Sequence, residues 1–263
     1  MSPLLSRVLV ALAGLPVVLG VVWLGGWWLF ALVALVTALA LHEYFSLVRP
    51  HRPLVLAGYL GAAGALLGAE LGGPTWMIGG FAATLAVAFV LHGISSTRAQ
   101  PTVAIGATVL GGAWIGLGFA HVLLVRDLPE HGRLAAFTVL LAVWASDTIA
   151  YFAGKLFGRH RMTPVLSPGK TWEGFAAGTL AAIFVAFIAL YRTGFVDGWR
   201  SIVLGGVVAL AAALGDLFES AIKRDVGAKD SGTLLGGHGG MLDRADALLF
   251  ASVASFYAIL ALR

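Results

Sequence analysis

The sequence predicts an all-α fold, that of a polytopic integral membrane protein with about nine transmembrane helices. Hydrophobic residues make up 59% of its 263 residues and charged residues only 11%, whereas soluble domains carry roughly 25% charged residues. The mean hydropathy is +0.93, and apolar segments of about 20 residues, enough to cross a bilayer, recur along the chain. The chain has no cysteine, which excludes disulfides, thiolate metal sites and cysteine nucleophiles.

Nine apolar segments define the predicted helices in chain order. They cover 8–24, 27–47, 53–72, 75–93, 101–125, 134–157, 173–191, 200–223 and 241–262. Pro53, Pro74 and Pro101 open the third, fourth and fifth helices, where the missing N–H of proline costs little. We interpret the first segment as a span and not as a signal peptide, because further spans follow and no clear small-residue cleavage site is present.

The chain divides into two predicted regions. Residues 1–135 hold about five N-terminal transmembrane helices. Residues 136–263 form a C-terminal transmembrane region that carries the candidate catalytic residues, with polar loops at 158–172 and 224–240.

The lysine and arginine residues predict the orientation, because cytoplasmic loops carry more of them. With nine spans, 12 of the 17 fall on one face and 5 on the other. The richer face is predicted to be cytoplasmic, which places the N-terminus inside, the C-terminus outside and both polar loops in the cytoplasm. Topology accounts for the net charge of +4, so nucleic acid is not an expected partner.

The eighth predicted helix carries charge at membrane depth. Its side chains Asp216, Glu219, Ser220 and Lys223 are spaced i, i+3, i+4 and i+7, which places them on one face. Ionisable groups inside a membrane are costly and usually functional. The alternative is a solvated helix end with an intrahelical pair between Glu219 and Lys223.

The last predicted helix opens with two further carboxylates, Asp243 and Asp246. Mg²⁺ commonly takes one or two carboxylates together with substrate phosphates, so Asp216 and Asp243 are predicted to share a Mg²⁺ ion. Capping of the helix by Asp243 is the alternative, because a carboxylate is favourable at a helix N-terminus.

The two polar loops contain candidate phosphate ligands. His238, Gly239 and Gly240 belong to a glycine run that resembles an anion-binding nest, although such runs are often plain turns. In the loop that begins at Ser167, Lys170 is a candidate phosphate ligand, and a Ser-Pro turn before a helix is the alternative. Other candidate cations are Arg224, Lys229 and Arg244, the first two of which also fit a topogenic role.

Asp147 and Glu43 lie in apolar sequence outside the two polar loops. Asp147 lies one helical turn from Tyr151, and it is either a site residue or a structural hydrogen-bond centre. Glu43 is interpreted as interfacial or structural.

Residues 220–246 resemble the signature of the phosphatidate cytidylyltransferases, also called CDP-diacylglycerol synthases. The matching positions are Ser220, Lys223, Arg224, Lys229, Asp230, His238, Gly239, Gly240, Asp243, Arg244 and Asp246. The segments SDTIAYFAGKLFG and SPGKTWEG are also similar to this family, so the resemblance covers about 140–246.

The resemblance implies transfer of the cytidylyl group of CTP to phosphatidate, which gives CDP-diacylglycerol and pyrophosphate for phospholipid biosynthesis. It implies Mg²⁺ on Asp216 and Asp243, a second monovalent cation such as K⁺, a homodimer, and a site at the cytoplasmic face of a bacterial-type membrane. The implied catalytic residues are Asp216, Asp243, Lys223, Arg224, Lys229 and Asp246. The implied substrate-binding residues are Lys170, Ser167, Ser220, His238, Gly239, Gly240, Arg244 and Asp147.

Three alternatives belong to other classes of protein. Ion-coupled transporters carry intramembrane carboxylates, but at midplane positions of inverted repeats, whereas here they cluster at one end of two helices. CDP-alcohol phosphotransferases carry a DG…AR…G…D…D pattern that this sequence lacks. A structural assembly subunit would leave the intact signature unexplained.

Overall fold

A computed structural model describes residues 3–95, 100–232 and 239–263, with side chains from residue 14 onward. Nine segments are α-helices: α1 (Pro3–Leu24), α2 (Gly26–Leu47), α3 (Val55–Ile94), α4 (Pro101–Gly111), α5 (Leu117–Arg126), α6 (Gly132–Phe157), α7 (Trp172–Leu190), α8 (Trp199–Asp225) and α9 (Leu242–Leu262). The remaining elements are a 3₁₀ turn (Arg49–His51), a π-helical turn (Gly112–Gly116), and strands β1 (Arg161–Thr163) and β2 (Ser167–Thr171).

The all-α, polytopic membrane fold is confirmed. Among the described residues, 7 helices are long and apolar enough to cross a membrane, one of them formed by α4, the π-helical turn and α5 together. A shorter apolar helix covers Gly14–Leu24. The count of nine spans stays a prediction.

Helix α3 turns back on itself and so holds two of the predicted helices. Its backbone leaves the helical region at Gly73, which has φ 72° and ψ −157° and is followed by Pro74. Gly64 lies against the backbone of Gly80 across the turn. The segments 55–72 and 74–94 are therefore antiparallel and packed through glycine. A left-handed φ of this kind favours glycine, because any Cβ would be strained there.

The predicted loop at 158–172 contains a small β-hairpin that the sequence analysis missed. Strands β1 and β2 pair antiparallel, with Arg161 opposite Thr171 and Thr163 opposite Ser167. The carboxylate of Glu173, in the first turn of α7, accepts hydrogen bonds from His160 N–H (3.2 Å) and Nδ1 (2.6 Å). The Thr171 hydroxyl caps α7 by accepting the Gly174 N–H at 3.1 Å. The hairpin is thus tied to the start of a transmembrane helix.

The chain forms two compact units. The first comprises Met1–Asp127 and Val226–Ala245, and the second comprises Leu128–Asp225 and Asp246–Arg263. Tyr44, Leu41 and Ile115 are fully buried in the first unit, as are Leu190 and Leu204 in the second. The candidate residues are described below unit by unit.

Candidate active site

The charged end of α8 lies in the second unit. Lys223 Nζ donates to Glu219 Oε2 at 3.0 Å, as the alternative interpretation of this helix proposed. The pair is not solvated, however, because the side chains of Glu219 and Lys223 are only 2% and 13% exposed. Ser220, between them in sequence, is half-buried. Removing two charges from water is costly, so this pair is unlike an ordinary surface helix end.

Asp216 pairs with a lysine from the hairpin. Lys170 Nζ, on β2, lies 2.7 Å from Asp216 Oδ2, and the Asp216 side chain remains 40% exposed. Lys170 Nζ also approaches the Ala213 carbonyl oxygen at 3.5 Å. The hairpin therefore places a predicted phosphate ligand beside a predicted metal ligand, and both remain accessible.

Two more carboxylates complete an acidic cluster, which we define as Asp147, Asp216, Glu219 and Asp246. Asp147, on α6, interacts electrostatically with Asp216 and Lys170. Asp246, on α9, is buried and lies within hydrogen-bonding distance of Glu219. Its Oδ1 accepts the Ala247 N–H at 2.8 Å. With Lys170 and Lys223 as the neighbouring ammonium groups, the cluster holds more acidic than ammonium side chains.

The remaining predicted residues of the second unit lie near the hairpin. Arg224 is exposed, and its Nε donates to the Leu166 carbonyl oxygen at 3.4 Å. Ser167 begins β2 and is half-buried. The end of α8 thus carries an exposed guanidinium beside the hairpin.

Asp243 lies in the first unit and binds the loop that precedes α9. Its carboxylate accepts the Ser231 N–H at 3.0 Å, the Ser231 hydroxyl at 2.9 Å and the Gly240 N–H at 2.8 Å. Lys229 and Arg244 are exposed in the same unit. These contacts tie the preceding segment to the first turn of α9 and orient the Asp243 carboxylate.

Glu43 is the residue that the sequence analysis undervalued. This α2 side chain is buried, and it accepts the Met241 N–H at 2.9 Å and the Leu242 N–H at 2.8 Å. Its Oε2 also lies 3.1 Å from the Ser231 hydroxyl, whose single hydrogen is shared between Glu43 and Asp243. Glu43 therefore has the predicted structural role, but it exerts this role on the signature segment itself. A carboxylate inside an apolar helix was the available signal, although nothing in the sequence indicated its partners.

The glycines beside Asp243 have steric reasons to be glycine. Gly240 is buried, and a Cβ there would collide with the Ser231 hydroxyl and the Glu43 carboxylate. Gly239 has φ 78°, in the left-handed region that favours glycine. His238 and the rest of 233–238 lie outside the described residues. The predicted anion nest is thus described only at these two glycines.

Each unit presents a carboxylate of the kind that Mg²⁺ binds together with substrate phosphates. Within 14–95, 100–232 and 239–263, no three carboxylate or histidine side chains converge to hold a metal ion by themselves. Mg²⁺ characteristically needs only one or two carboxylates and fills its other positions with water and phosphate oxygens. Asp216 is accessible within a cluster rich in negative charge. Asp243 is oriented by three donors.

Comparisons with known proteins identify the family. A protein-family model described as "Cytidylyltransferase family" matches residues 5–262. A protein of Mycobacterium bovis named phosphatidate cytidylyltransferase is 36% identical over 252 residues, which cover 86% of this chain and 78% of that protein. A protein of the same name from Staphylococcus haemolyticus is 41% identical over 139 residues, which cover 52% of each chain. Another from Mycobacterium leprae is 42% identical over 154 residues, which cover 57% of this chain and 48% of that protein. Because the family model spans almost the whole sequence, the chain belongs to the cytidylyltransferase family.

Proposed function

We propose that this membrane enzyme transfers the cytidylyl group of CTP to phosphatidate, giving CDP-diacylglycerol and pyrophosphate for phospholipid biosynthesis. Membership of the cytidylyltransferase family and the relatives named phosphatidate cytidylyltransferase support this reaction. The observation that carries the proposal is the signature at 220–246, whose residue Lys223 and neighbour Asp216 take part in ion pairs at the end of α8.

The chemistry needs positioning and charge neutralisation more than it needs a strong base. The phosphate monoester of phosphatidate is already an anionic nucleophile. One of its oxygens attacks the α-phosphorus of CTP, a new P–O bond forms, and the bond to the β-phosphate breaks as pyrophosphate leaves in line. Fixed cationic groups that face the developing charge lower the barrier of such a step.

The basic side chains fall into two groups in this mechanism. Lys170 and Lys223 already pair with carboxylates, so a substrate phosphate would compete with Asp216 and Glu219 for them. Arg224, Lys229 and Arg244 are the other proposed cationic ligands of the triphosphate and of the phosphatidate headgroup, and all three side chains are exposed. Polar groups that would hydrogen-bond the substrates come from Ser167, Ser220, His238, Gly239 and Gly240. Asp147 and Asp246 are the remaining proposed acidic residues of the site.

Mg²⁺ would be held by Asp216 and Asp243, as the resemblance implies, with K⁺ as a second cation. When bound, Mg²⁺ neutralises the negative charge of the phosphate oxygens. Protein donors would keep the ligand oxygens in place, since Gly240 N–H and Ser231 orient Asp243. Lys170, 2.7 Å from Asp216, offsets the charge of this carboxylate.

The cellular arrangement proposed for the chain follows from its charge distribution. The protein would lie in a bacterial cytoplasmic membrane with its site on the cytoplasmic face, the N-terminus inside and the C-terminus outside. A homodimer is the proposed assembly, and nucleic acid is not a proposed partner. CTP would reach the site from the cytoplasm, while phosphatidate stays in the leaflet.

A turnover assay on detergent-purified protein tests the reaction. Phosphatidate, radiolabelled CTP and Mg²⁺ are supplied, and label is followed into the organic phase, with EDTA as control. We expect lipid-extractable label that EDTA abolishes. Its absence from folded protein, across several acyl chains and with K⁺ present, would contradict the proposed reaction.

Substitution of the two proposed metal ligands tests their role. Asp216→Asn and Asp243→Asn keep the side-chain shape but remove the charge, and each is expected to lower turnover by roughly 100-fold or more. Asp197→Asn, in the loop before α8, is the matched control and should retain wild-type turnover. Near-wild-type activity of either ligand variant at saturating Mg²⁺ would contradict its assignment as a ligand.

A further inference from the structure

A groove lined by basic side chains lies at the end of α2, within the first unit. Its volume is about 490 Å³, which falls in the range of roughly 300–1,000 Å³ typical of small-molecule sites. One wall is formed by His42, Phe45 and Ser46 on the last turns of α2 and by Arg49 of the 3₁₀ turn that follows. The other wall comes from Arg52 and from the start of α3, where Val55 and Tyr59 face the groove.

No described carboxylate balances the positive charge of this groove. Within 14–95, 100–232 and 239–263, no acidic side chain lines it, and neither Arg49 nor Arg52 forms a salt bridge. The adjacent acid, Glu43, directs its carboxylate to Ser231 and the start of α9. Guanidinium groups bind phosphate through paired N–H donors, so an anionic ligand would complete the groove.

The backbone holds Arg52 in an unusual conformation. Its φ of 51° and ψ of 54° are left-handed, which is costly for a residue with a Cβ. Strain of this kind persists where the surrounding structure requires it, commonly at ligand sites. Here it lets the chain turn directly from the 3₁₀ turn into α3, so that Arg49 and Arg52 both line the groove.

An apolar surface continues from the groove along α3. Val55, Leu56 and Leu60 have 43%, 58% and 51% of their surfaces exposed. Exposed apolar side chains on a transmembrane helix face lipid chains. A ligand that occupies the groove would therefore meet arginine at one end and hydrocarbon at the other, which suits an amphipathic anion better than a free one.

We infer that this groove binds the phosphate group of an anionic phospholipid, whose acyl chains lie along the start of α3. Basic pockets between transmembrane helices on the cytoplasmic side are typical headgroup sites. The groove shares no residue with those assigned to cytidylyl transfer. The inferred lipid therefore binds through residues other than those proposed for the reaction.

Lipid retention by native mass spectrometry tests this inference on the full-length protein. Phosphatidylglycerol, an anionic phosphodiester without the free monoester of phosphatidate, is the probe, and phosphatidylcholine is the neutral comparison. The double variant Arg49→Gln with Arg52→Gln is compared with a second double variant, Arg192→Gln with Arg200→Gln. The second variant removes the same charge outside the groove, at two arginines that lie over aromatic rings. Equal thermal unfolding temperatures establish that the variants are folded.

We expect the wild type and the Arg192/Arg200 variant to retain phosphatidylglycerol over phosphatidylcholine. In the Arg49/Arg52 variant, the ratio of retained phosphatidylglycerol to phosphatidylcholine should fall roughly tenfold, which is the size expected for loss of charged hydrogen bonds. Replacing both arginines with lysine should restore part of it, because charge returns without the paired donors. An unchanged preference in the Arg49/Arg52 variant would overturn the inference.

A second arm separates a lipid from a free phosphate. A large molar excess of inorganic phosphate should leave the bound phosphatidylglycerol in place, because the acyl chains contribute to its binding. Complete displacement by inorganic phosphate would overturn the lipid assignment and indicate a soluble ligand. Neither arm requires turnover, so their results are independent of the cytidylyl-transfer assay.

Discussion

At the scale of single residues, the α2 carboxylate of Glu43 organises the start of α9. It accepts hydrogen bonds from a side chain and two backbone N–H groups of the segment 231–242. A glutamine in its place presents an NH₂ group to these donors, and each buried donor left without an acceptor costs about 1–3 kcal/mol. Since Asp243 follows directly, misplacement of this segment would displace a proposed metal ligand.

We therefore predict that Glu43→Gln lowers kcat/KM roughly 10- to 100-fold in folded protein. The Mg²⁺ concentration for half-maximal turnover should also rise, which loss of folded protein alone would not produce. Turnover assays over a Mg²⁺ series provide the measurement, and Glu130→Gln, on an exposed loop, is the matched control. A Glu43→Gln enzyme with unchanged Mg²⁺ dependence would show that the residue does not position the site.

Substitution of Lys170 is predicted to affect turnover much more than stability. Its ion pair with Asp216 is partly exposed, and pairs of that kind contribute at most about 1 kcal/mol to folding. Lys170→Met should therefore change the thermal unfolding temperature little, yet lower turnover roughly 100-fold or more by removing a phosphate ligand. Lys155→Met, at an exposed position on α6, should affect neither quantity. A large loss of stability with normal specific activity would reverse this assignment.

At the scale of elements, α6 and α7 are held together by small residues. Gly174 and Gly178, four residues apart on α7, both face the α6 backbone: a Cβ on either would lie 2.7 Å from a carbonyl oxygen, that of Ala150 or Ser146. Close approach through glycine at this spacing is typical of helices that pack in membranes. The hairpin that carries Lys170 leads directly into α7, so this packing also supports the site.

Gly178→Ala is predicted to destabilise the protein by about 1–3 kcal/mol, the cost of an overpacked interface. Gly206→Ala on α8 is the matched control, because its Cβ would meet no atom within 4 Å, and alanine favours the helix there. Thermal unfolding in detergent measures both. Equal unfolding temperatures for the two variants would mean that α6 and α7 do not pack as closely as described.

At the scale of the whole molecule, the distribution of charge predicts the orientation in the membrane. The absence of cysteine makes single-cysteine labelling clean. Val165→Cys, 86% exposed in the hairpin, should react with a membrane-impermeant maleimide only from the cytoplasmic side. Asp197→Cys and Arg263→Cys should react only from outside. Labelling of all three from one side would contradict the proposed topology, whereas inversion of the pattern would reverse it.

The membrane class, the approximate helix boundaries and the family signature could be predicted from the sequence, because hydropathy and motif spacing are local properties of the chain. The sequence placed the predicted helices 173–191 and 200–223 within two residues of α7 and α8. It missed the β-hairpin, since three- and five-residue strands leave too short a pattern to distinguish from a loop.

Contacts between residues far apart in the sequence are visible only in the tertiary structure. It joined Lys170 to Asp216, and Glu43 to Ser231 some 188 positions away. No periodicity records such contacts, because they depend on how helices pack and not on the residues between them. For the same reason, the sequence did not predict the groove lined by Arg49 and Arg52. In the sequence these two arginines indicate only the orientation in the membrane.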